Sequence, residues 1–419
     1  MKRVLKRPEV LAPAGTLEKL KIAIIYGADA VYIGGNAYGL RTRAGNFTFE
    51  EMKEAVLFAK QHGARIYVAA NMVTHVGETI GAGDFFRKLK DIGISAVIIS
   101  DPALIEICLR ETPGLPVHLS TQASSVNAQA LNFWKNEGVE RVVLGREVSM
   151  QELREIRENS SIEIEVFVHG AMCIAYSGRC VLSNYMSLRD ANRGGCSQSC
   201  RWKYDLYDSL SDGYRNSLKD KVTEKFSMSS VDLSMIEHIP DLIEAGVDSL
   251  KIEGRMKSIH YVSTVANVYK KAVDTYLENP ETYELQKEWV EELWKVAQRE
   301  LSTGFYYGRP TESEQLFGIR RRLPKYKFVG EVVFYDEKKQ LATIRQRNVI
   351  TKGDELEFYG PNFVHSKAIV GELWNGEKEL IDRAPNPMEL LTMAIDHPVK
   401  PGEMIRRKAD GLIHLYREN

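Results

Sequence analysis

Long apolar runs are missing from this chain of 419 residues. No stretch is apolar over the ~20 residues that a membrane-spanning helix needs, and the opening MKRVLKRPEV has no apolar core like that of a secretory signal peptide. An excess of one charge is also missing, because 56 lysines and arginines are balanced by 57 aspartates and glutamates. These absences predict a cytoplasmic protein with no membrane partner, and they argue against broad nonspecific binding of nucleic acid.

Several familiar catalytic signatures are also missing. The sequence has neither an HExxH zinc helix nor a GxSxG nucleophile elbow, which removes two well-known kinds of hydrolase site. No GxGxxG phosphate loop follows the first predicted strand, which disfavours a doubly wound, dinucleotide-binding sheet. A hydrolase would therefore need a cysteine nucleophile, for which His169 is a nearby histidine in the sequence.

Cysteine is scarce, but four of the five cysteines fall in one glycine-rich stretch. Cys173 and Cys180 are seven positions apart, and Cys196 and Cys200 are four apart. Disulfides are rare in the cytoplasm, and neither spacing matches the CxxC pairs of structural zinc sites. Iron–sulfur clusters tolerate varied spacing, so the pattern favours a cluster and leaves zinc open. Cys108 lies in the apolar run ALIEICL and is predicted to be buried.

Short β-rich runs alternate with helical segments through residue 255. The runs are residues 8–13, 30–34, 65–71, 96–101, 117–122, 141–147, 162–169 and 249–255. Thr16, Thr48 and Ser149 stand where helix caps are expected. Alternating strands and helices indicate a parallel sheet, and eight repeats predict a closed, TIM-like (β/α)₈ barrel over residues 1–310, with a doubly wound open sheet as the alternative.

Polar side chains are found at the ends of most predicted strands. They are Asn71, Asp101, Gln122, Arg146, Glu147, His169, Glu253 and Arg255. Because TIM-barrel active sites lie at the carboxyl ends of the strands, we predict that this set lines a pocket. The alternative is that Arg146 pairs with Glu147, and Glu253 with Arg255, and that these pairs only close the barrel.

Roles can be assigned to this set by residue type. His169 and Glu147 are candidates for proton transfer. Arg146 and Arg255 could bind a carboxylate or a phosphate, and Glu253 completes the predicted catalytic group. At the ends of other strands, two amide side chains are candidates for substrate binding: Asn71 and Gln122.

A long insertion, residues 170–245, follows the seventh predicted strand and carries the four clustered cysteines. It also contains basic and aromatic side chains, a combination that suits single-stranded RNA. Arg193, Arg201 and Trp202 are therefore candidate substrate-binding residues. The simpler interpretation is an insertion whose polar side chains are solvated and bind no RNA. Within it, residues 210–225 are polar and predicted to be mobile, and residues 230–236 carry a helix-capping pattern.

The last part of the chain has a different pattern. Residues 256–279 read as one amphipathic helix with a single buried face. A linker over residues 311–325 contains three consecutive arginines at 320–322, which could contact a phosphate backbone. Residues 326–419 show short strands separated by turns at 352–354 and 401–403, which predicts a small antiparallel β-barrel.

The cysteine stretch is also recognisable as a motif. HGAMCIAYSGRCVLSNYMSLRDANRGGCSQSCRW resembles the signature of peptidase family U-32, the collagenase-like peptidases, and within it the branch of tRNA hydroxylation proteins. The similarity extends from PEVLAPAG to PGEMIRRK. The resemblance implies oxygen-independent 5-hydroxylation of the wobble uridine in tRNA, the first step toward 5-methoxyuridine or 5-carboxymethoxyuridine, with prephenate as a possible co-substrate.

The resemblance also implies a cofactor and partners. Cys173, Cys180, Cys196 and Cys200 are expected to hold an iron–sulfur cluster, of the 4Fe–4S type. Some relatives place a ligand cysteine near Ser234, so Cys200 is expected to replace it here. Expected partners are tRNA, a related family member as homo- or hetero-oligomer, and the iron–sulfur assembly machinery. A peptidase and a hydroxylase of a quinone precursor stay as alternatives.

Overall fold

A computed structural model of the protein describes residues 5–39, 46–205, 225–311, 314–316, 326–363 and 365–409. Most of the predicted mobile segment (residues 210–224) and the basic linker around residues 318–322 lie outside the described residues. Through residue 302 the strands are β1 (Glu9–Pro13), β2 (Ala30–Gly34), β3 (Arg65–Ala69), β4 (Ala96–Ile99), β5 (Val117–Leu119), β6 (Arg141–Val143), β7 (Glu163–Ala171), β8 (Tyr204–Asp205), β9 (Lys225–Phe226), β10 (Asp232–Ser234), β11 (Ser249–Ile252) and β12 (Leu301–Ser302).

Eight parallel strands close into a barrel, as predicted. Strands β1 to β7 pair in sequence order, and β11 pairs with both β7 and β1 to complete the ring. The helices are α1 (Leu17–Ile25), α2 (Phe49–Gln61), α3 (Ala82–Ile92), α4 (Pro102–Glu111), α5 (Ala128–Asn136), α6 (Met150–Asn159), α7 (Leu182–Ser187), α8 (Ile239–Glu244), α9 (Ile259–Glu278) and α10 (Lys287–Val296). None of the helices in these ranges is long and apolar enough to cross a membrane.

The three predicted caps are confirmed. Thr16 accepts a hydrogen bond from the backbone of α1, and Thr48 and Ser149 form full capping boxes with Glu51 and Glu152. Each box satisfies two backbone donors that the first helical turn would leave without partners. The short polar signals at these sites therefore fix where three of the barrel helices begin.

Most predicted strands were too long at their carboxyl ends. β3 ends at Ala69 and β4 at Ile99, so the polar residues that follow belong to loops. One of them, Asp101, caps α4 and accepts hydrogen bonds from Thr74. β7 is instead longer than predicted, because it continues to Ala171 and pairs there with the antiparallel β10. The helix-capping pattern predicted for residues 230–236 was wrong, since β10 occupies its centre.

The amino-terminal end of the barrel contains a buried ionic network. Arg141 binds Glu9, Glu163 and Glu165, with 2.7 Å from its Nη2 to Glu163 Oε2. Lys251 Nζ lies 2.7 Å from Glu165 Oε1. Glu9, Arg141, Glu165 and Lys251 are all buried, so each charge is compensated inside the barrel rather than by water.

The carboxy-terminal region is an all-β unit, as predicted. Its strands are β13 (Tyr326–Asp336), β14 (Leu341–Gln346), β15 (Ile350–Thr351), β16 (Glu355–Tyr359), β17 (His365–Ile369), β18 (Leu373–Trp374), β19 (Arg383–Ala384), β20 (Leu390–Ala394) and β21 (Met404–Lys408). Seven of them form an antiparallel sheet in the order β17-β16-β21-β13-β14-β20-β18, beside the pair β15–β19. Among the described residues no pairing joins β17 to β18. Gly353 and Gly402 adopt positive φ in the two predicted turns.

Helix α9 joins the two units of the protein. The predicted buried face is present, but the opposite face is also buried, because the β-unit packs against it. The hydroxyl of Tyr359 lies 3.0 Å from Ser263 Oγ and 2.9 Å from Thr264 Oγ1, and it also contacts His260 Nδ1. Nearby, the fully buried Arg406 binds both carboxylate oxygens of Glu292 on α10, at 2.7 and 2.8 Å.

Candidate functional site

The carboxyl end of the barrel strands, here called the barrel mouth, is covered by the thiol loop, residues 172–202. The first part of this loop is fastened to the loops after β5 and β6. Ser177 donates to Glu147 from its backbone N–H at 3.3 Å and from its hydroxyl at 3.0 Å. Gly178 lies so close to Gln122 that a Cβ at position 178 would approach the Gln122 carbonyl oxygen to 2.1 Å. Only glycine fits this contact, so the loop approaches the barrel mouth by backbone packing.

The second part of the thiol loop is fastened to the loop after β3. Arg193 forms a bidentate ion pair with Glu78 and donates to the Val73 carbonyl at 3.1 Å. Asn192 Nδ2 donates to the Cys180 carbonyl at 3.3 Å. The hydrogen bonds from Arg193 lower the pKa of Glu78 to about 2. Arg193, predicted to bind substrate, therefore uses its guanidinium to hold the loop in place.

All five cysteines are free thiols. Cys173 and Cys196 are exposed, and Cys180 and Cys200 are half-buried. Burial raises the pKa of the Cys200 thiol, the neighbouring Arg201 opposes this shift, and the charges of Cys173 and Cys196 add to it. Three of the four thiols are thus near enough to interact electrostatically. Cys108 is fully buried, as predicted, and burial raises its pKa to about 11.

The thiols are more widely spaced than a preformed zinc site requires. In the part of the chain that the structure describes, Glu292, Glu357 and His365 are the one group of three or more candidate ligands within 4.8 Å of one another. That group lies between α10 and the β-unit, where Arg406 and Lys295 already neutralise the two glutamates. Four sulfurs around zinc would lie about 3.8 Å apart, given Zn–S bonds of about 2.3 Å.

Arg146 links the thiol loop to the barrel interior. Its Nη1 lies 3.8 Å from Cys173 Sγ, and its Nη2 lies 3.5 Å from Glu253 Oε2. The guanidinium also stacks 3.8 Å from the centroid of the Phe167 ring. The guanidinium thus brings a positive charge next to the sulfur of the first cysteine in the thiol loop. Arg146 is therefore placed to stabilise negative charge at Cys173.

A second group of cations lies beside the thiol loop. Arg201 donates to the Met172 carbonyl at 3.4 Å, and Arg299 binds Asp232 at 2.7 Å. Burial lowers the pKa of Lys257, and the nearby Arg299 and Arg201 lower it further while Asp232 opposes them. Three cations therefore surround one carboxylate beside the thiol loop. Nothing in the local sequence pattern distinguished Lys257 or Arg299, and both were missed.

His169 lies in a packed environment. Its ring is buried between Tyr261 and Tyr269 of α9, and Nδ1 lies 3.3 Å from the Tyr269 hydroxyl. Burial lowers its pKa to about 4, so the imidazole is neutral near pH 7. Its described ring contacts are with tyrosines rather than with a thiol, which weakens the idea of a cysteine–histidine nucleophile pair.

The remaining predicted residues occupy different positions around the barrel mouth. Arg255 is buried against Gly34 and donates to Asn46 Oδ1 at 3.3 Å. Trp202 is 41% exposed at the end of the thiol loop. The side-chain oxygens of Asn71 and Gln122 are buried without a hydrogen-bond partner in the structure. Such orphaned acceptors in a barrel mouth mark positions where a ligand donor would be stabilised.

The alternative pairing of Arg146 with its neighbour Glu147 was wrong. Arg146 pairs with Glu253 instead of Glu147, and Glu147 binds Ser177. Arg255 donates to Asn46, which lies in the segment after β2. The barrel mouth is thus held by contacts between residues that are distant in the sequence, and Ser177, which lies within the cysteine motif, was missed as an anchor.

Known proteins resemble this chain over nearly its full length. The profile described as "Peptidase family U32" matches residues 15–316, and "Peptidase family U32 C-terminal domain" matches residues 324–406. The chain is 52% identical over 411 residues to tRNA hydroxylation protein P1 of Bacillus subtilis (strain 168), covering 97% of this chain and 96% of that protein. It is 36% identical over 400 residues to tRNA hydroxylation protein P of Escherichia coli (strain K12), covering 85% and 86%.

The name of a third relative refers to a different RNA. The chain is 36% identical over 274 residues to the 23S rRNA 5-hydroxycytidine C2501 synthase of Escherichia coli (strain K12). The match covers 65% of this chain and 40% of that protein.

Proposed function

The chain belongs to peptidase family U32, and we propose that it is an RNA-modifying hydroxylase that adds a hydroxyl group to ring carbon five of the wobble uridine in tRNA. The observation that carries this proposal is the 52% identity, over 97% of the chain, to a tRNA hydroxylation protein. The name of the rRNA relative supports the same change at a pyrimidine ring. The product would be the precursor of 5-methoxyuridine or 5-carboxymethoxyuridine.

An iron–sulfur cluster on Cys173, Cys180, Cys196 and Cys200, expected to be 4Fe–4S, is part of the proposal. The donor set fits it: four free thiols lie in one loop, no three of them within 4.8 Å of one another, with cations close by. Arg146 and Arg201 would offset the negative charge that thiolates bring to such a cluster. When bound, the cluster supplies a redox or Lewis-acid centre.

The side chains around the barrel mouth have proposed roles that follow their contacts. Glu147, whose carboxylate is held by Ser177, is the candidate for proton transfer. Glu253 orients Arg146 toward the Cys173 thiol. His169, neutral and packed against α9, is proposed as a positioning residue for β7.

Substrate contacts are proposed for two amides with orphaned oxygens, for one exposed ring and for two arginines around the barrel mouth. The amides of Asn71 and Gln122 would accept hydrogen bonds from a ligand at the barrel mouth. Trp202 offers an exposed ring for stacking on RNA. Arg255 and Arg201 would add positive charge for a carboxylate or phosphate.

The co-substrate and partners are part of the same proposal. Replacing the carbon–hydrogen bond by a carbon–hydroxyl bond removes two electrons from the ring, so the reaction needs an oxygen donor and a two-electron acceptor other than molecular oxygen. Prephenate is the proposed co-substrate. The proposal includes tRNA as partner, a related family member as a possible second subunit, the iron–sulfur assembly machinery as the source of the cluster, and a cytoplasmic location.

The direct test is the nucleoside content of tRNA. Bulk tRNA from a deletion strain, digested and analysed by mass spectrometry, is expected to lose the nucleosides derived from 5-hydroxyuridine. The wild-type gene and Cys108→Ala should restore them, and Cys173→Ala should not. Cys108 is the matched control because it lies outside the thiol loop. An unchanged nucleoside profile in the deletion strain would contradict the proposed function.

The peptidase suggested by the family description has weaker support. A cysteine peptidase needs a base in contact with its thiol, and the described ring contacts of His169 are with Tyr261 and Tyr269. Incubation of the purified protein with casein and gelatin is expected to give no cleavage. Cleavage that is lost in Cys173→Ala would restore this alternative.

A further inference from the structure

A wide groove opens beside Cys173. It has a volume of about 990 Å³, at the upper end of the range for small-molecule sites, ~300–1,000 Å³. Its lining includes the start of the thiol loop, from Met172 to Tyr176, and the loop of residues 302–310. The amino-terminal turn of α6 also contributes to the lining. The groove therefore leads from solvent to the first cysteine of the thiol loop.

The charge of the groove is mainly negative. Among the described residues, its lining includes four carboxylates, those of Glu147, Glu152, Glu155 and Glu314, and one cation, Arg309, while Arg146 lies next to it at Cys173. Hydrogen bonds from Ser149 lower the pKa of Glu152 and keep it ionised. A phosphate inside the groove would meet like charges at short range and would be repelled.

The groove also presents aromatic and apolar surface. Tyr176 is 70% exposed and Ile174 is 42% exposed, and both lie in the loop segment that carries Cys173. Phe305, half-buried, is a second aromatic ring in the lining. Exposed rings in a recess suit stacking against a flat heteroaromatic ring such as a nucleobase.

We propose that this groove holds one unstacked, uncharged nucleobase of the RNA substrate, with the phosphates of the backbone kept outside it. The inference rests on the proposed function and adds to it the place and the chemistry of base recognition. Tyr176 and Phe305 contact the ring, and the carboxylates exclude the phosphates. The base then lies beside Cys173, at the edge of the proposed redox centre.

Photocrosslinking tests the location. The full-length protein, purified without oxygen, is mixed with an anticodon stem-loop RNA that carries 4-thiouridine at the wobble position, irradiated, and mapped by peptide mass spectrometry. The expected crosslinks fall in residues 172–176 or 302–310. Crosslinks confined to residues 189–202 or to the β-unit, from RNA that is bound, would overturn the inference.

A matched pair of variants tests the chemistry. Tyr176→Ala is expected to weaken binding of the uridine-containing stem-loop about tenfold, the loss of one stacking contact. It should leave binding of the same stem-loop with an abasic wobble position unchanged. Tyr185→Ala is the control, because Tyr185 is 83% exposed on α7 but is not among the residues that line the groove. Equal weakening of both RNAs by Tyr176→Ala would overturn the inference.

The inference and the proposed function can fail separately. Loss of hydroxyuridine nucleosides in the deletion strain, together with crosslinks elsewhere, would leave the function standing and remove the groove as the base site. An acidic groove also complements a cationic peptide. If a lysine-rich peptide shields Tyr176 from solvent and the RNA does not bind, both the inference and the proposed function would be overturned.

Discussion

The two ends of the barrel both contain buried charge, but they use it differently. At the amino-terminal end, Arg141 is 3% exposed in its side chain and touches three carboxylates, while Lys251 binds one of them at 2.7 Å. At the barrel mouth, Arg146 has longer contacts, 3.5 Å to Glu253 and 3.8 Å to the Cys173 sulfur. The charges of the Arg141 network are all paired with one another, whereas the Arg146 network includes the sulfur of the exposed Cys173.

We assign stability to the amino-terminal end of the barrel and function to the barrel mouth. Compensated charges at the amino-terminal end require nothing further from solvent or ligand. At the barrel mouth, the buried oxygens of Asn71 and Gln122 have no partner in the structure, and exposed thiols lie above them. This is the arrangement expected of TIM barrels, in which the carboxyl ends of the strands carry the chemistry.

The largest effect should come from breaking the Arg141 network. Arg141→Met removes the cation that Glu9 and Glu165 share and leaves Arg65 and Lys251 beside them, so the free energy of unfolding should fall by about 3–5 kcal/mol. Urea denaturation followed by circular dichroism measures the change. A loss below about 1 kcal/mol, typical of exposed ion pairs, would show that the network is not what holds this end of the barrel.

A second effect concerns His169, which lies near the barrel mouth but is packed like a core residue. Its pKa, lowered by burial to about 4, is below the value near 6.5 of an unfolded chain. The unfolded state therefore binds the proton first, and stability present above pH 6.5 is lost as the pH falls toward 4. The loss from this group is about 3 kcal/mol.

The measurement for His169 is the unfolding free energy between pH 7 and pH 4, for the wild type and for His169→Gln. The variant should be less stable at pH 7 and should show a shallower decline in acid. Parallel curves for the two proteins would mean that His169 does not titrate in this range.

A smaller effect is expected between the barrel and the β-unit. Tyr359→Phe removes a hydroxyl that contacts His260, Ser263 and Thr264 on α9. Loss of these hydrogen bonds should lower the free energy of unfolding by about 1–2 kcal/mol. Tyr335→Phe, which alters a ring outside this contact, serves as the control and should have little effect. Equal losses in the two variants would argue against a specific polar contact.

The smallest effect on stability should come from Arg146, the counterpart of Arg141. Arg146→Met should lower the free energy of unfolding by about 1 kcal/mol, because its ion pair is long and the main loss is its stacking on Phe167. The same variant should lower the iron content of the purified protein, since a cation beside Cys173 is lost. A strongly destabilised Arg146→Met with normal iron content would reverse the roles that we assign to the two ends.

The barrel was predictable because its signals are local. Short β-rich runs, capping residues at Thr48 and Ser149, and a cysteine motif are each recognised from a short stretch of sequence. The polar pairs were not predictable, because Arg146 meets Glu253 and Arg193 meets Glu78 across more than a hundred positions. Adjacent residues such as Arg146 and Glu147 point in different directions, so proximity in sequence misled the pairing.

The burial of both faces of α9 also could not be predicted from the sequence alone. Its amphipathic pattern predicted one buried face toward the barrel, and that face is present. The other face carries small polar residues such as Ser263 and Thr264, which look solvent-exposed by type. They are buried because Tyr359 of the β-unit reaches them, and tertiary contacts between separate units leave no periodic signal.

The central claim is that the barrel mouth carries an iron–sulfur cluster on the thiol loop. The direct measurement is purification without oxygen, followed by a visible spectrum and assays of iron, sulfide and zinc, for the wild type, Cys173→Ala and the control Cys108→Ala. We expect brown protein with matching iron and sulfide, retained in Cys108→Ala and lost in Cys173→Ala. Colourless protein with stoichiometric zinc, or with free thiols and no metal, would contradict the claim.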